Sequence, residues 1–484
     1  MVLALVSVQL ALAITPAEIT PSLRSRLPEI LFKMADPRAL AAISLADLEE
    51  FASAYEQGRL KFVSETKVME HSGPLSPELA ALVLQTPPGA PYIKERFTRM
   101  AMDAYGRGVF SKLKWLVRDN DDGSVTIEIW YASNDSKAWV PLYDSNGISG
   151  IRAGVSYRDY RVGGQDRQAE IWGELSQNET DEPEGGVSYT DNTLNKGRNS
   201  LSTLFSVTNQ WRRRGTFTPA EASLRQRTAE LDTAYAWQHT ARLGLDSTSY
   251  GIGLGAYGQD SHIYYGDPTA GGTAPRSDFD EAANAGFIRL FYHSASRNLA
   301  FTPSAGWDYS LAAEKHFGGF EYTQASANLR YYIPQCNVLG FKPDRVESRS
   351  LPNDVGRLFP LASLALQAQA VVADGDVPYS REALADVPGV LRGLNYDRHF
   401  GTKLLGLRGE YRFALDSKRR NEAFVFTDHA LYGERLNKLE AADTYGIGAV
   451  VRLPVYGGFK LGGWYGRSFD GNDHSYGIAM GYMF

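Results

Sequence analysis

The sequence lacks the long apolar segments of helical membrane proteins. Hydrophobic residues make up 43% of the 484 residues, and the mean hydropathy is −0.31. A membrane-spanning helix needs about 20 consecutive apolar residues, and the continuous apolar stretch at residues 1–13 is too short to cross a bilayer. A helical membrane protein is therefore excluded, but a β-barrel is not, because barrel strands need apolar residues only at alternate positions.

Basic residues and cysteine are also scarce. The chain has 50 Lys and Arg against 56 Asp and Glu, which gives a net charge of −6. A nucleic-acid-binding protein needs a positive field to replace phosphate counterions, so no nucleic-acid partner is expected. The densest basic run, Arg212 to Arg214, is interpreted as a solvated strand end or turn. Cys336 is the single cysteine, which excludes an intramolecular disulfide and says little about the redox compartment.

Motifs of common enzymes and metal sites are missing as well. The sequence has no HExxH, GxSxG or Walker A motif, and no Cys/His cluster with metal-ligand spacing. The segment GLGAYG at residues 253–258 fits GxGxxG, but a dinucleotide site needs that motif between a strand and a helix. Here it continues an alternating strand. The sequence therefore predicts no enzymatic activity, no catalytic residue, no cofactor and no metal.

The N-terminal residues suggest an atypical export signal. Residues 1–13 end in Ala11-Leu12-Ala13, a small-x-small pattern that suits signal peptidase. No basic residue precedes the apolar stretch, so either the true start lies upstream or the segment is not a signal peptide. We expect an atypical secretory signal. Residues 14–58 predict a helical lead-in, with helices from Pro28 to about Ala41 and from Ser44 to Gln57.

Residues 59–134 show the pattern of a small α+β domain. The predicted elements, in order, are a strand, two helices and two strands: Phe62–Glu70, a helix opened by Ser76-Pro77-Glu78, Ile93–Tyr105, Phe110–Arg118 and Val125–Tyr131. The Asp122-Gly123 pair between the last two strands is a strong hairpin signal. This order, with the segments AYGRGVFSKLKWLV and GSVTIEIWY, resembles a POTRA domain.

The resemblance to a POTRA domain implies a periplasmic unit with a binding edge. An extended segment of a periplasmic partner would add as a strand to the exposed edge of the sheet. Main-chain hydrogen bonds would then supply affinity with little demand on the partner's sequence. The alternative is a small α+β domain whose sheet edge stays solvated.

From residue 138 to the last residue, apolar residues recur at alternate positions. Leu364, Leu366 and Ala368 give one example, and residues 445–453 and 476–484 repeat the pattern. Such alternation predicts antiparallel strands, and about fifteen segments of this kind can be marked. A soluble sandwich would turn the apolar faces inward, whereas a barrel in lipid would turn them outward.

Aromatic residues near the predicted strand ends suit the interfacial girdles of a membrane barrel. These residues are Tyr157, Tyr160, Trp237, Tyr257, Trp307, Tyr331, Tyr332 and Tyr465. The last residue, Phe484, is also aromatic, as is common in bacterial outer-membrane barrels.

Residues 387–413 carry the most specific pattern. Leu391-Arg392-Gly393 resembles the loop tip of the BamA/TamA/Sam superfamily of outer-membrane assembly factors, and Glu410-x-Arg412 resembles the strand that follows it. The phase of this strand places Glu410 and Arg412 opposite the face that bears its leucines. Both side chains are therefore expected in the barrel lumen.

A second strand motif completes the resemblance. Phe426 to Ala430 is similar to the F-x-D-x-G motif of the superfamily, with Ala430 in place of the glycine. The family pattern implies that the loop folds back into the barrel and that Arg392 pairs with Glu410 and Asp428. A guanidinium in a partly dehydrated lumen needs such bidentate acceptors.

The resemblance implies a mainly β fold. We expect a transmembrane antiparallel β-barrel of about 16 strands over residues 138–484, preceded by the POTRA-like domain. The expected location is the bacterial outer membrane, with the N-terminal domain in the periplasm. The family also permits a mitochondrial location, as a component of the sorting machinery.

The function implied by the resemblance is insertion of client outer-membrane proteins at a lateral barrel seam, in contact with membrane lipid. The seam is expected where residues 150–160 meet the closing strand at residues 474–484. Its residues are Gly150, Gly154, Tyr157, Gly477, Gly481 and Phe484. One alternative is a transporter that secretes a partner protein or aids lipid transfer to the outer leaflet. The other is a structural outer-membrane protein without insertase activity.

Overall fold

The computed structural model describes about seven tenths of the chain. The described residues are 26, 45–106, 109–146, 150–160, 162, 167–176, 183–192, 194, 199–214, 222–238, 246–265, 275–297, 305–335, 353–354, 362–378, 383–384, 390–392, 394, 400–415, 421–452, 460–471 and 474–481. The expectations for residues 1–13, for a helix over 28–41, and for Gly393 and Phe484 lie outside them.

The N-terminal unit is a small α+β fold. Its helices are α1 (Leu45–Glu56), α2 (Pro77–Val83) and α3 (Lys94–Gly106), and its strands are β1 (Lys61–Ser72), β2 (Pro91–Tyr92), β3 (Phe110–Asp119) and β4 (Val125–Ser133). The strands follow one another in the sheet as β3-β4-β1-β2, with β1 parallel and β3 antiparallel to β4. None of the described helices is long and apolar enough to span a bilayer.

Local side chains define the ends of these elements. The hydroxyl of Ser76 accepts a hydrogen bond from the amide of Leu79 at 3.3 Å, which caps α2 just before Pro77. In the β3–β4 turn, Gly123 has a φ of 79°. The Asp122 carboxylate accepts hydrogen bonds from the hydroxyl and amide of Ser124, and these bonds lower the pKa of Asp122. The sequence therefore fixes the hairpin locally.

The lead-in helix α1 packs against α3. The carboxylate of Glu50 accepts hydrogen bonds from Arg99 at 2.6 Å and from Arg96 at 3.5 Å, and the Arg96 guanidinium lies over the Phe51 ring. The sheet beneath buries Leu113, Trp115, Ile127 and Ile129 among other apolar side chains. This core makes the α+β unit a packed body in its own right.

Sixteen of the described strands close into an antiparallel barrel. They are β5 (Lys137–Asn146), β6 (Gly150–Asp159), β7 (Arg167–Ser176), β8 (Glu184–Asp191), β9 (Asn199–Arg214), β10 (Ala222–Gln238), β11 (Asp246–Tyr265), β12 (Pro275–Arg297), β13 (Gly306–Gly318), β14 (Tyr322–Gln335), β16 (Ala362–Gly375), β19 (Lys403–Ala414), β20 (Asn421–Gly433), β21 (Glu440–Arg452), β22 (Lys460–Ser468) and β23 (His474–Gly481). The mainly β class and the strand number are confirmed.

Three short strands in the described parts of the connections lie outside the barrel wall. The strands β17 (Ala383–Leu384) and β18 (Phe400–Gly401) pair within the connection between β16 and β19. The strand β15 (Asn353–Asp354) belongs to the connection between β14 and β16, but it pairs with β3 of the N-terminal sheet. The segment at residues 253–258 lies inside β11, as the strand interpretation requires.

The barrel turns its apolar side chains outward. On β19, Leu407 is 45% exposed while its neighbour Arg408 is 8% exposed, and on β21 Ile447 is 61% exposed. A soluble sandwich would bury these aliphatic side chains and expose the arginine. The arrangement is that of a barrel whose outer surface is covered by lipid.

Two of the expected girdle aromatics are instead inside the barrel. Tyr257 and Tyr332 are buried, whereas Trp237, Tyr331 and Tyr465 are exposed on the outer face. Position along a strand sets the depth of a residue in the membrane, but parity sets the face to which it points. Tyr257 and Tyr332 have the inward parity, so the girdle interpretation is wrong for them.

The barrel closes at a different strand from the one expected. The closing strand β23 pairs with β5, and the matched residues are Ile478 with Ser145, Ala479 with Asp144 and Met480 with Tyr143. The predicted seam residues on β6 therefore lie one strand away from the seam.

The composition of β5 explains the error. Pro141 has no backbone N–H, and with Asp144 and Asn146 it gives β5 the residues of a turn rather than of a strand. Gly150, Gly154 and Tyr157 belong to β6, which pairs with β5 along its whole length.

Lysine substitutions on the two faces of β14 test this orientation. Leu329 is exposed on the outer face, and Ser326 has the inward parity of the buried Tyr322 and Tyr332. Leu329→Lys should lower the free energy of unfolding by about 2–4 kcal/mol, because it places a charge in lipid, while Ser326→Lys should cost much less. Denaturant unfolding in vesicles measures both values. A cost at Ser326 equal to or larger than that at Leu329 would contradict the orientation.

Candidate functional site

The connection between β16 and β19 folds back against the inner barrel wall. Among its described residues, Val390, Leu391 and Leu394 are buried and form one apolar cluster with Leu404, Ala430 and Tyr432 of β19 and β20. Burial of three apolar side chains holds this loop tip in the lumen. The loop thereby presents Arg392 to the wall.

Arg392 is bound by two carboxylates of the wall. Its Nε and Nη2 donate to the two oxygens of Asp428, each at 2.9 Å, and its Nη1 donates to Glu410 Oε2 at 2.7 Å. The backbone N–H of Arg392 also donates to Asp428 Oδ2 at 3.0 Å. The side chain of Arg392 and both carboxylates are almost completely buried. We call this arrangement of Arg392, Glu410 and Asp428 the lumenal clasp.

Two further arginines of β19 balance the clasp. Arg412 Nε donates to Glu410 Oε1, and Arg408 Nε lies 3.6 Å from Asp428 Oδ1. Two buried carboxylates are costly unless each is paired, so these arginines stabilise the acids from the wall side. The sequence motif supplied Glu410 and Arg412 but not Arg408. Its position two residues before Glu410 gives it the same inward parity, and that signal could have found it.

The aromatic ring of Phe426 packs against the guanidinium of Arg392. The Arg392 guanidinium carbon lies 3.7 Å from the centroid of the Phe426 ring, a distance suited to a cation–π contact. Phe426 is opposite Gly446 in the β20–β21 register. A Cβ at Gly446 would come within 2.5 Å of Phe426 Cζ. The absence of a side chain at Gly446 leaves space for the Phe426 ring.

Small residues also make room for the loop tip. A Cβ at Gly406 of β19 would come within 2.7 Å of Val390 Cγ1. Ala430, which replaces the usual glycine of the strand motif, is fully buried in the apolar cluster around the loop tip. The alanine therefore adds apolar contact beneath the loop and leaves the Asp428 contacts intact.

Solved structures with the same architecture include two CdiB proteins and one BamA. CdiB from Acinetobacter baumannii gives a TM-score of 0.53 at 11% sequence identity, with 93% of this chain and 85% of that chain covered. CdiB from Escherichia coli gives 0.53 at 9% identity, with 93% and 87% covered. BamA from Haemophilus ducreyi lacking POTRA domains 1–3 gives 0.50 at 12% identity, with 88% and 85% covered. The chain has the fold of BamA and CdiB.

This finding confirms the resemblance to the BamA/TamA type at the level of the fold. No protein-family model and no curated protein matches the sequence. The architecture agrees with the sequence-based expectation. Arg392, Glu410 and Asp428 also lie in contact, as the family pattern implies.

A second ion network on the lumen wall was not foreseen. Arg289 of β12 donates to Asp232 Oδ2 at 2.7 Å and to Glu314 Oε1 at 2.6 Å, and His316 Nε2 lies 3.0 Å from Glu314 Oε2. Asp232 and Arg289 are on β10 and β12, on either side of β11. In the register, Gly253 of β11 is opposite Arg289 and Gly255 is opposite Asp232, so β11 places no side chain between the two charged groups. Two of the three glycines of the GxGxxG segment, Gly253 and Gly255, thus make room for side chains on the lumenal face.

The closing strand carries the remaining predicted seam residues. A Cβ at Gly477 would come within 2.6 Å of the Trp464 ring of β22, so this glycine makes room for an aromatic side chain. Gly481 is opposite Lys460 of β22. Among the described residues, no group of His, Cys, Asp and Glu side chains has an arrangement suited to holding a metal ion.

Removing the clasp arginine should weaken the barrel strongly. Arg392→Ala leaves Glu410 and Asp428 with less compensation, and breaking a buried pair in this way costs about 3–5 kcal/mol. Denaturant unfolding and heat-modifiable migration measure the loss. Arg158→Ala is the control, because Arg158 of β6 is paired with the half-buried Glu170 and should cost less. Unchanged migration and unchanged unfolding for Arg392→Ala would refute the clasp.

A methyl group added at Gly406 tests whether the loop tip packs against this position. Gly406→Ala would press against Val390 and should cost about 1–3 kcal/mol, as overpacking of a buried site does. Gly409→Ala is the matched control on the same strand, because the nearest atom to its Cβ is Thr427 Cγ2 at 3.6 Å, an ordinary contact. Denaturant unfolding compares the two variants, and similar stabilities would show that the loop tip does not rest on Gly406.

Proposed function

We propose that the chain is an outer-membrane assembly factor of the BamA/TamA superfamily that inserts client β-barrel proteins at a lateral seam between β5 and β23. The observation that carries this proposal is the short pairing at the seam. Described residues of β23 match β5 at three positions, whereas β22 and β23 match at eight and β5 and β6 at ten. Among the barrel strands as described, the seam therefore has the fewest matched positions to lose on opening.

Edge chemistry at the seam supports strand exchange. An opened seam exposes unpaired main-chain donors and acceptors on β5 and β23, which form a template for another strand. Pro141 in β5 removes one ladder donor from this strand. A client strand that pairs over more positions than β23 does would replace the existing pairing at little cost.

The lumenal clasp would confine opening to that seam. It joins the loop to β19 and β20, and β21, β22 and β23 separate these strands from β5 in the barrel order. A rigid wall at one side and a sparsely paired seam at the other would direct any opening motion to β5 and β23. Arg392, Glu410 and Asp428 are in this proposal positioning residues that keep the lumen in shape.

The N-terminal unit is proposed to act as a POTRA domain in the periplasm. The last residue of β4 is Ser133 and β5 begins at Lys137, so this short connection places the unit at the barrel end where β5 starts. Client proteins would reach the unit first and the seam next. Membrane lipid would contact the client at the opened seam.

A reversible cross-link at the seam tests the function. In a Cys336→Ser background, Tyr143→Cys with Met480→Cys places two thiols opposite each other across the seam, and oxidation should abolish client insertion into liposomes until a reductant is added. The control is Tyr143→Cys with Ala153→Cys, which joins β5 to β6 and leaves the seam free. Undiminished insertion by the oxidised seam variant would contradict the proposal.

A transporter is the second candidate, because one α+β unit precedes the barrel in the described residues. Secretion of a partner through the lumen would require the loop with Arg392 to move, but not the seam. The same oxidised seam variant separates the two candidates. Loss of insertion with unchanged conductance of the reconstituted barrel supports the assembly factor, while unchanged insertion with conductance that rises in Arg392→Ala supports the transporter.

A further inference from the structure

The barrel supplies a strand to the N-terminal sheet. The two residues of β15 pair antiparallel with β3, with Asn353 opposite Trp115 and Asp354 opposite Lys114. β15 belongs to the connection between β14 and β16. Because the barrel strands alternate in direction, β14 ends at the same end of the barrel as the N-terminal unit.

β3 is the edge strand of the N-terminal sheet. It pairs with β4 on one side, and among the described residues β15 is its neighbour on the other. Trp115 is buried in the core of the unit and anchors β3 there, while Lys114 is exposed. The main-chain donors and acceptors on the side of β3 away from β4 lie at the edge of the sheet. An edge of this kind accepts an extended segment with little demand on the sequence of that segment.

The described pairing of β15 covers two positions. β3 has ten residues, and the described residues of β15 are matched to two of them. In the sequence, Pro352 precedes the paired residues and Gly356 follows them. Proline cannot donate to a ladder and glycine weakens a strand, so these residues oppose a longer pairing. A strand matched along all ten residues of β3 would form more hydrogen bonds with it than the two described residues of β15 do.

We propose that β15 is a built-in competitor for the edge of β3, which an extended client segment must displace before it can pair with the N-terminal sheet. The segment is tethered to the barrel, so it is always present near the edge at high effective concentration. The identity of the displacing segment as a client rests on the proposed function, whereas the self-pairing rests on the register alone.

Cross-linking of the full-length protein tests the self-pairing. In a Cys336→Ser background, Lys114→Cys with Asp354→Cys places the thiols at opposite positions of an antiparallel pair, where the Cα distance suits a disulfide. Lys112→Cys with Asp354→Cys is out of register by two residues and is the control. Faster oxidation of the in-register pair is expected. Equal rates, or no disulfide in the in-register pair, would overturn the proposal.

Peptide binding tests the competition. The probe is a labelled peptide with the sequence of residues 474–484, HSYGIAMGYMF, whose alternating pattern is that of a barrel strand. The reduced Lys114→Cys, Asp354→Cys protein should bind it at least about tenfold more tightly than the oxidised protein, because only an open edge is competent to bind. Asn353→Pro, which removes a main-chain donor of β15, should bind it more tightly than wild type.

The outcomes separate this inference from the proposed function. Equal peptide affinity of the oxidised and reduced proteins overturns the competition, even where the seam cross-link abolishes client insertion. A large difference in peptide affinity supports it, even where insertion is absent. Because both redox states are the same folded protein, a folding defect cannot produce the difference.

Discussion

The Arg392 guanidinium lies between two carboxylates of the barrel wall at a place where all three groups are almost completely buried. A charge in such a place must be matched by groups of opposite charge in good geometry. The other features of the site follow from this requirement. The loop must return to the lumen to deliver Arg392, Gly406 must leave space for Val390, and the ring of Phe426 must lie next to the guanidinium.

The strength of pairing is uneven around the barrel. The wall at β16, β19 and β20 is paired over many residues and carries the clasp, whereas β5 and β23 match at three described positions. Antiparallel pairs gain stability from each matched position, so the pairing among the described residues is weakest between β5 and β23. In the proposed function, the barrel opens at this place while the clasp keeps the lumen in shape.

Local signals in the sequence predicted much of the fold. The hairpin at Asp122-Gly123 and the cap at Ser76 are short-range features, and the strand parity around Glu410 fixed which side chains face inward. The same parity, applied to Tyr257 and Tyr332, would have avoided their assignment to the girdle. The strand β5 was not predicted, because Pro141 and its polar neighbours give β5 the composition of a turn.

The sequence did not predict which distant strands pair with each other. Periodicity predicts that a strand exists but does not say which strand it meets, so neither the β23–β5 closure nor the addition of β15 to β3 could be foreseen. The contacts of Arg289 with Asp232 and Glu314 join β10, β12 and β13. No spacing of these residues in the sequence indicates that they meet. The Arg392 pairing was found because a family pattern, rather than the periodicity, connected the loop to the two acids.

A double-mutant cycle tests the central claim most directly. The free energy of unfolding in vesicles is measured for wild type, Arg392→Met, Asp428→Asn and the double variant. A direct pair in a buried site predicts a coupling energy of about 2–3 kcal/mol, with the double variant more stable than the sum of the single changes implies. Costs that add to within about 0.5 kcal/mol would show that Arg392 and Asp428 do not meet in the lumen, and would contradict the account.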